Sequence, residues 1–249
     1  KDFDDAISIE KLKNGGSRLY VHIADVADVV ARGSELDEEA RRRATSVYLP
    51  GFVVPMLPHH ISNERCCLRP DEDRPAKTVV LDYDANGNRI GYSVHRSMIH
   101  SDERLDYKQA LKALESESQD ICKTKGMEDM LRCAWSLAKS LRKKRMDNGS
   151  LMLDMPDAKV RLDDSGVPVA LDLEVGDDAH SLIEECMLEA NKAVAELLLS
   201  KGIPGIFRVH DEPEADVMHN LMELLYSFGV KVGRELRRAD LTEIIDKVR

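Results

Sequence analysis

Aromatic residues are scarce: they make up 4% of 249 positions, with a single tryptophan. No Phe, Tyr or Trp lies between Trp135 and Phe207, so that stretch offers no large aromatic ring to a base. No apolar run approaches the roughly 18 residues needed to cross a bilayer. The opening KDFDDAISIE has neither the basic nor the apolar region of a secretory signal. A basic surplus is also missing. Lys+Arg is 36 against 46 Asp+Glu, a net charge of −10. That excludes a simple basic coat for nucleic acid and a membrane-surface binder. It leaves room for an enzyme that binds a polyanion in one local groove and holds cations in an acidic pocket. The five cysteines form no CxxC pair and no Cys/His cluster at zinc spacing. They read as free thiols in a reducing cytoplasm. What is present is a hydrophobic content of 43%, enough for a core.

The order of elements reads as α+β, with antiparallel hairpins and a mixed sheet packed with helices. Residues 4–12 alternate, stop at Asn14-Gly15-Gly16 and resume at 18–26, which predicts a hairpin. Ser34 opens a helix that begins with acids and continues into Arg41-Arg42-Arg43. Pro50, Pro55 and Pro58 keep residues 48–62 from forming a long helix, so an ordered loop or edge segment is expected. A second hairpin turns at Asn86-Gly87-Asn88. Helical spacing follows at 106–116 and 127–147, then strands around Asp164-Ser165-Gly166. Ala179, Leu182, Ile183, Cys186, Met187, Ala190, Ala193, Val194, Leu197 and Leu198 predict one apolar helix face ended by Gly202. A short strand at GIFRVH and helices near 213–228 and 239–248 complete the reading. With no repeat and no low-complexity linker, one continuous domain over 1–249 is expected. The chain opens inside a charged motif and closes on a helix, so both ends are expected to be cut.

The sharpest chemical feature is Asp2, Asp4 and Asp5. Three carboxylates within four residues repel one another and raise one another's pKa values. A divalent cation among their oxygens relieves that repulsion, and hard cations such as Mg²⁺ prefer such ligands. In extended backbone Asp2 and Asp4 share a face and Asp5 points away, so a bend is needed for all three to converge. The alternative is a solvated acidic segment.

DFDDAISIE, LYVHIADVADVV, GSELDEEARRRATSVYLPGFVVPMLP, ISNERCCLRPDEDRPA, IEECMLEANKAVAE and FRVHDEP occur in this order. Together they resemble the catalytic RNB domain of the ribonuclease II and ribonuclease R family. The resemblance runs along essentially all of the chain, with YLPGF leaning toward ribonuclease II. It implies a Mg²⁺-dependent, processive 3′→5′ exoribonuclease that hydrolyses single-stranded RNA to nucleoside 5′-monophosphates. It implies a metal cluster D-x5-D-x-D-D, whose last three positions are Asp2, Asp4 and Asp5. The first position and a downstream basic motif match nothing in this sequence, so a partial RNB domain, inactive in isolation, is expected.

By the same resemblance Asp4 serves the chemical step, Asp5 is a firm metal ligand, and Asp2 supports the metal or the terminal nucleotide. Tyr48 matches an aromatic that stacks on bases, which suits an enzyme that must accept every base. The alternative is a core tyrosine. The second aromatic of the ribonuclease II clamp has no counterpart near Met152. Glu184 matches a glutamate near the terminal nucleotide; a plain surface role is the alternative. His22 and Asp25 recur in the pattern and are expected to be buried and hydrogen-bonded. His59-His60 point apart and lack a third ligand, so they are rejected as a metal pair. The runs Arg41–Arg43 and Arg142–Arg145 are read as solvated helix faces or phosphate contacts. The competing functional reading is a catalytically inactive RNB relative that binds RNA or serves as a scaffold.

Overall fold

The structure is a computed structural model that describes residues 3–115, 121–151, 156–209, 211, 213–230, 241 and 244. Its centre is a four-stranded antiparallel sheet. The strands are β1 (Asp5–Lys11), β2 (Ser17–Ala24), β5 (Asp73–Tyr83) and β6 (Arg89–His100), in that spatial order. Between β2 and β5 the chain forms α1 (Val26–Val29), α2 (Glu35–Arg43), the hairpin β3 (Val47–Leu49) with β4 (Phe52–Val54), and one π-helical turn, Ile61–Arg65. Beyond the sheet lie α3 (Tyr107–Glu115), α4 (Met127–Asp147), the hairpin β7 (Asp157–Leu162) with β8 (Pro168–Glu174), α5 (Asp178–Ser200) and α6 (Ala215–Ser227). Every strand ladder is antiparallel, and a parallel bridge joins Pro70 to Ser101 outside the strands.

The turns form where the sequence marks them. Gly15 takes φ +81°, and a Cβ on Gly16 would lie 2.0 Å from the Tyr83 carbonyl oxygen. Only glycine lets the β1–β2 turn approach the end of β5 this closely. In the β5–β6 turn, Asp84 Oδ1 accepts the backbone N–H groups of Asn86 and Asn88 at 2.9 and 2.7 Å. Asp163 repeats the device in the β7–β8 turn, taking Ser165 N–H at 2.8 Å and Val167 N–H at 2.9 Å. Carboxylates that cap turns in this way let the chain reverse without orphaned donors.

Strand alternation builds the core. Ile9, Leu19, Val21, Val79, Leu81 and Tyr83 share one sheet face. Leu137 and Leu141 of α4 and Leu182, Cys186 and Ala190 of α5 pack on it. The predicted apolar face of α5 is thus present, but it also carries two acids, Glu185 at 2% and Glu189 at 8% exposure. The opposite parity places Ala6, Ala24 and Ile99 in a second cluster with Ile61, Cys66 and Leu68. That cluster lies beside the start of β1.

Two expectations change, and a third lies mostly outside the described residues. The described part of GIFRVH forms no strand: residues 203–209 have no regular structure, and Ile206 and Val209 are exposed, so alternation there found no partner strand among the described residues. Residues 48–62 are more than a loop, because Gly51 at φ +74° closes a hairpin between the prolines. The helix expected at 239–248 falls outside the described residues, except for positions 241 and 244, which are helical. Among the described residues no helix is long and apolar enough to cross a membrane.

Candidate active site at the mouth of the first strand

Asp4 and Asp5 stand where β1 begins, and both are exposed. Asp2 lies outside the described residues. The backbone beneath them is stitched from three sides. Phe3 N–H donates to Cys67 Sγ at 3.3 Å. Leu68 N–H donates to Phe3 O at 2.8 Å, and Ala24 N–H donates to Asp4 O at 2.9 Å. Cys67 is wholly buried, so the sulfur that receives Phe3 belongs to the packed interior. The CC pair in ERCCL is therefore a structural anchor for the acidic segment, as buried free thiols suggest. Burial pushes the Cys66 thiol up, and the nearby Asp4 charge adds to that shift.

Although one side of Asp5 meets solvent, the protein around its carboxyl raises its pKa above the usual value of 3.8. Loss of water is the larger cause, and a hydrogen bond to its own backbone opposes it. No cation pairs with Asp5 among the described residues. A crowded carboxylate without a counter-charge is a group that a divalent ion would stabilise. Among the described residues no three Asp, Glu, His or Cys side chains come close enough to form a metal cage on their own. Strand parity turns Asp4 and Asp5 to opposite faces, and Mg²⁺ commonly uses only one or two carboxylates and completes its shell with water and substrate phosphate, so a single exposed acid here is enough to fit such an ion.

His22 and Asp25 are hydrogen-bonded as expected, with Asp25 buried and His22 half-buried. His22 Nδ1 lies 2.8 Å from Thr78 Oγ1, and Nε2 lies 3.3 Å from Ser8 Oγ. Burial lowers the His22 pKa, which keeps the ring neutral. Asp25, 4% exposed, meets Lys77 Nζ at 2.9 Å and Arg96 Nε at 3.5 Å. Asp25 N–H also donates to Pro75 O at 3.0 Å, so the chain leaving β2 is fixed next to the acids.

Tyr48 and Glu184 come from other elements. Tyr48 is not a core tyrosine: it sits on β3 and is 70% exposed. Its hairpin is tied back by Arg43 Nη1, which donates to Pro55 O at 2.9 Å, and by Met56 N–H, which donates to Ser46 Oγ at 2.9 Å. Glu184 stands on the open side of α5, its side chain 56% exposed, and accepts from Arg145 Nη2 at 3.1 Å. Asn191, seven residues on, is exposed as well.

The basic runs are largely spent inside the protein. Arg145 bridges Glu184 and the buried Glu185, and Arg142 donates to Ser181 Oγ at 3.0 Å. Lys144 donates to Asn86 O at 2.8 Å and Asn88 Oδ1 at 2.7 Å. On α2, Arg42 and Arg43 both bind Glu39. Two residues near the acids escaped sequence reasoning. One is Cys67. The other is Arg104, whose guanidinium lies 4.2 Å from the centroid of the Phe3 ring. Neither belongs to a spaced motif, and only the fold brings them to the start of β1.

Comparison with known proteins bears on the chain as a whole. "Ribonuclease R" of Aquifex aeolicus is 39% identical over 94% of this chain, and that of Thermotoga maritima is 38% identical over its full extent. These alignments cover 33% and 35% of the relatives' own lengths, so the chain spans about a third of each. Both carry the ribonuclease R name, against the ribonuclease II leaning of YLPGF. Among solved structures, Mycoplasma genitalium RNase R in complex with ribose methylated single-stranded RNA superposes with a TM-score of 0.91 at 29% identity. That match covers 99% of this chain and 39% of the other. The RNB domain profile matches residues 1–249, and with it the chain belongs to the RNB domain family.

Proposed function

We propose that this chain carries the catalytic acids of a Mg²⁺-dependent exoribonuclease that degrades single-stranded RNA from its 3′ end, processively, to nucleoside 5′-monophosphates. The observation that carries the reading is Asp5: a crowded carboxylate without a cationic partner among the described residues, placed beside Asp4 on a backbone pinned by Cys67, Leu68 and Ala24. Kinship with ribonuclease R supplies the reaction class. A relative seen with single-stranded RNA supports the substrate. Free cysteines suit a reducing cytoplasm.

Asp4 and Asp5, with Asp2, are the residues that would hold Mg²⁺. The bound ion supplies an activated water and offsets the charge of the scissile phosphate. The protein's own part is placement. Asp4 is fixed through its carbonyl to Ala24, so its carboxyl meets the reacting phosphate from a rigid backbone. Glu184, steadied by Arg145, is the residue that would meet the terminal nucleotide. Tyr48 offers an exposed ring for a base, a contact worth about 1–3 kcal/mol whatever the base.

The test uses the natural full-length protein and 5′-labelled poly(A), with and without Mg²⁺, comparing wild type with Asp4→Asn. Collapse to a short labelled end product that needs Mg²⁺ and is lost in the variant is the expected result. Intact RNA in every lane, with binding still detectable by mobility shift, would replace this reading with the non-catalytic RNA-binding one.

A further inference from the structure

The arginines of the sheet and its helices are mostly committed to carboxylates. Arg18 Nε is 2.6 Å from Asp82, Arg96 meets Asp25 and Asp28, and Arg145 meets Glu184 and Glu185. Arg104 differs. It is exposed, and among the described residues it meets no carboxylate. Its guanidinium lies instead over the ring of Phe3, the residue between Asp2 and Asp4.

Its loop is short and held at both ends. Asp71 N–H donates to Ser101 O at 2.8 Å, where β6 runs out. The two carboxylate oxygens of Glu103 accept the backbone N–H groups of Lys123 and Thr124 at 3.0 and 2.8 Å. Asp106 then caps α3: its Oδ1 accepts Gln109 N–H at 2.8 Å, while Gln109 Oε1 accepts Asp106 N–H at 2.9 Å. Phe3 is equally fixed, through Cys67 Sγ and Leu68 N–H. Arg104 is therefore a positioned cation on a rigid platform.

The chemistry of that position is specific. Contact with a ring occupies the face of a guanidinium and leaves its in-plane N–H groups unspent. Those N–H groups match two oxygens of a phosphodiester. A polyanion approaching paired carboxylates meets repulsion that a cation of this kind offsets locally. We propose that Arg104 binds a backbone phosphate of the RNA strand entering the acidic site, with the Phe3 ring as its support. The inference rests on the RNA reading above and extends it to a residue outside the acidic motif.

Equilibrium binding in EDTA separates binding from turnover. The probe is 5′-fluorescein oligoadenylate, read by anisotropy against the natural full-length protein across a salt series. Loss of a charge-assisted phosphate contact predicts that Arg104→Gln weakens binding about tenfold or more. The slope of log K against log salt should become shallower by about 0.7, one single-strand phosphate contact. Arg104→Lys keeps the charge but not the planar fork, so it should keep the slope and lose several-fold in affinity. An unchanged affinity and slope in Arg104→Gln, with wild type binding normally, overturns the inference and leaves the RNA reading standing. Failure of wild type to bind the probe overturns both. An Arg104→Lys variant as weak and as shallow in slope as Arg104→Gln would also overturn it, since the effect would then not follow the charge.

Discussion

Glu185 and Glu189 beneath α5 and Asp5 at the mouth of β1 handle negative charge in opposite ways. Under α5, Glu185 is 2% exposed and is met by Arg145 Nη2 at 2.5 Å. Glu189 accepts from Tyr83 Oη at 3.1 Å and from Lys192 Nζ at 2.8 Å. Each buried acid has partners supplied by the protein itself. At the mouth of β1 Asp5 is crowded enough for its pKa to rise, yet no cation among the described residues answers it. The same contrast holds for the arginines: Arg145 is committed to two glutamates, while Arg104 rests on a ring. Acids paired within the chain serve the fold, and a crowded acid without such a pair points to something that arrives from outside.

The largest effect expected from breaking this contrast is in activity. In the natural full-length protein, Asp5→Asn should lower RNA degradation by at least about a hundredfold, since even the outer partners of metal ligands cost about 10–100-fold. The same change should not lower stability without Mg²⁺. An acid whose folded pKa is raised favours folding below its unfolded value of 3.8 and loses that contribution as pH rises through the folded value. At neutral pH the ionised Asp5 is a cost that asparagine removes. Thermal melts in EDTA at pH 7 check the sign. A clear drop in Tm would show that Asp5 is paired within the fold and would erase the difference between the two sites.

How much of this was legible in the sequence differs by element, for physical reasons. The hairpin at Asn14-Gly15-Gly16, the span 127–147 and the long helix α5 announce themselves through turn residues and periodicity, because local backbone preferences decide them. The acids could be read because they are consecutive. Nothing local marks Glu185 and Glu189 as buried acids, since their burial depends on Arg145 and Tyr83, 40 and 106 residues away along the chain. Arg104 was silent for the same reason: the ring beneath it is reached only through the fold. GIFRVH misled because alternation signals a strand only where another strand is there to pair with it.

A second effect, smaller in activity and larger in stability, tests the paired acids. Arg145→Ala leaves the Glu185 carboxylate buried without its cation, which should cost about 3–5 kcal/mol and lower Tm by on the order of 10 °C. It also frees Glu184 from its only salt bridge among the described residues. Arg145→Met with Glu185→Leu should recover most of the loss, because a matched apolar pair avoids the desolvation of both charges. Urea titration of the single and double variants measures the coupling. If Arg145→Ala melted like wild type, the ion pair would be irrelevant to the fold.

The smallest stability effect is expected at Tyr48. Its ring is 70% exposed on a two-stranded hairpin, whereas Tyr83 is wholly buried and bonded to Glu189. Truncating an exposed side chain outside the core should change stability by no more than about 0.5 kcal/mol, so Tyr48→Ala should melt with wild type. If the ring holds a base of the last nucleotides, its loss removes about 1–3 kcal/mol from the grip on short RNA and little from the chemical step. The labelled end product from poly(A) should then grow longer while the rate on long RNA stays close to wild type. An unchanged end product would take Tyr48 out of the RNA path. The exposed β3–β4 hairpin would then stand apart from the acids at β1, and Arg104 and Glu184 would remain as the proposed contacts to the strand.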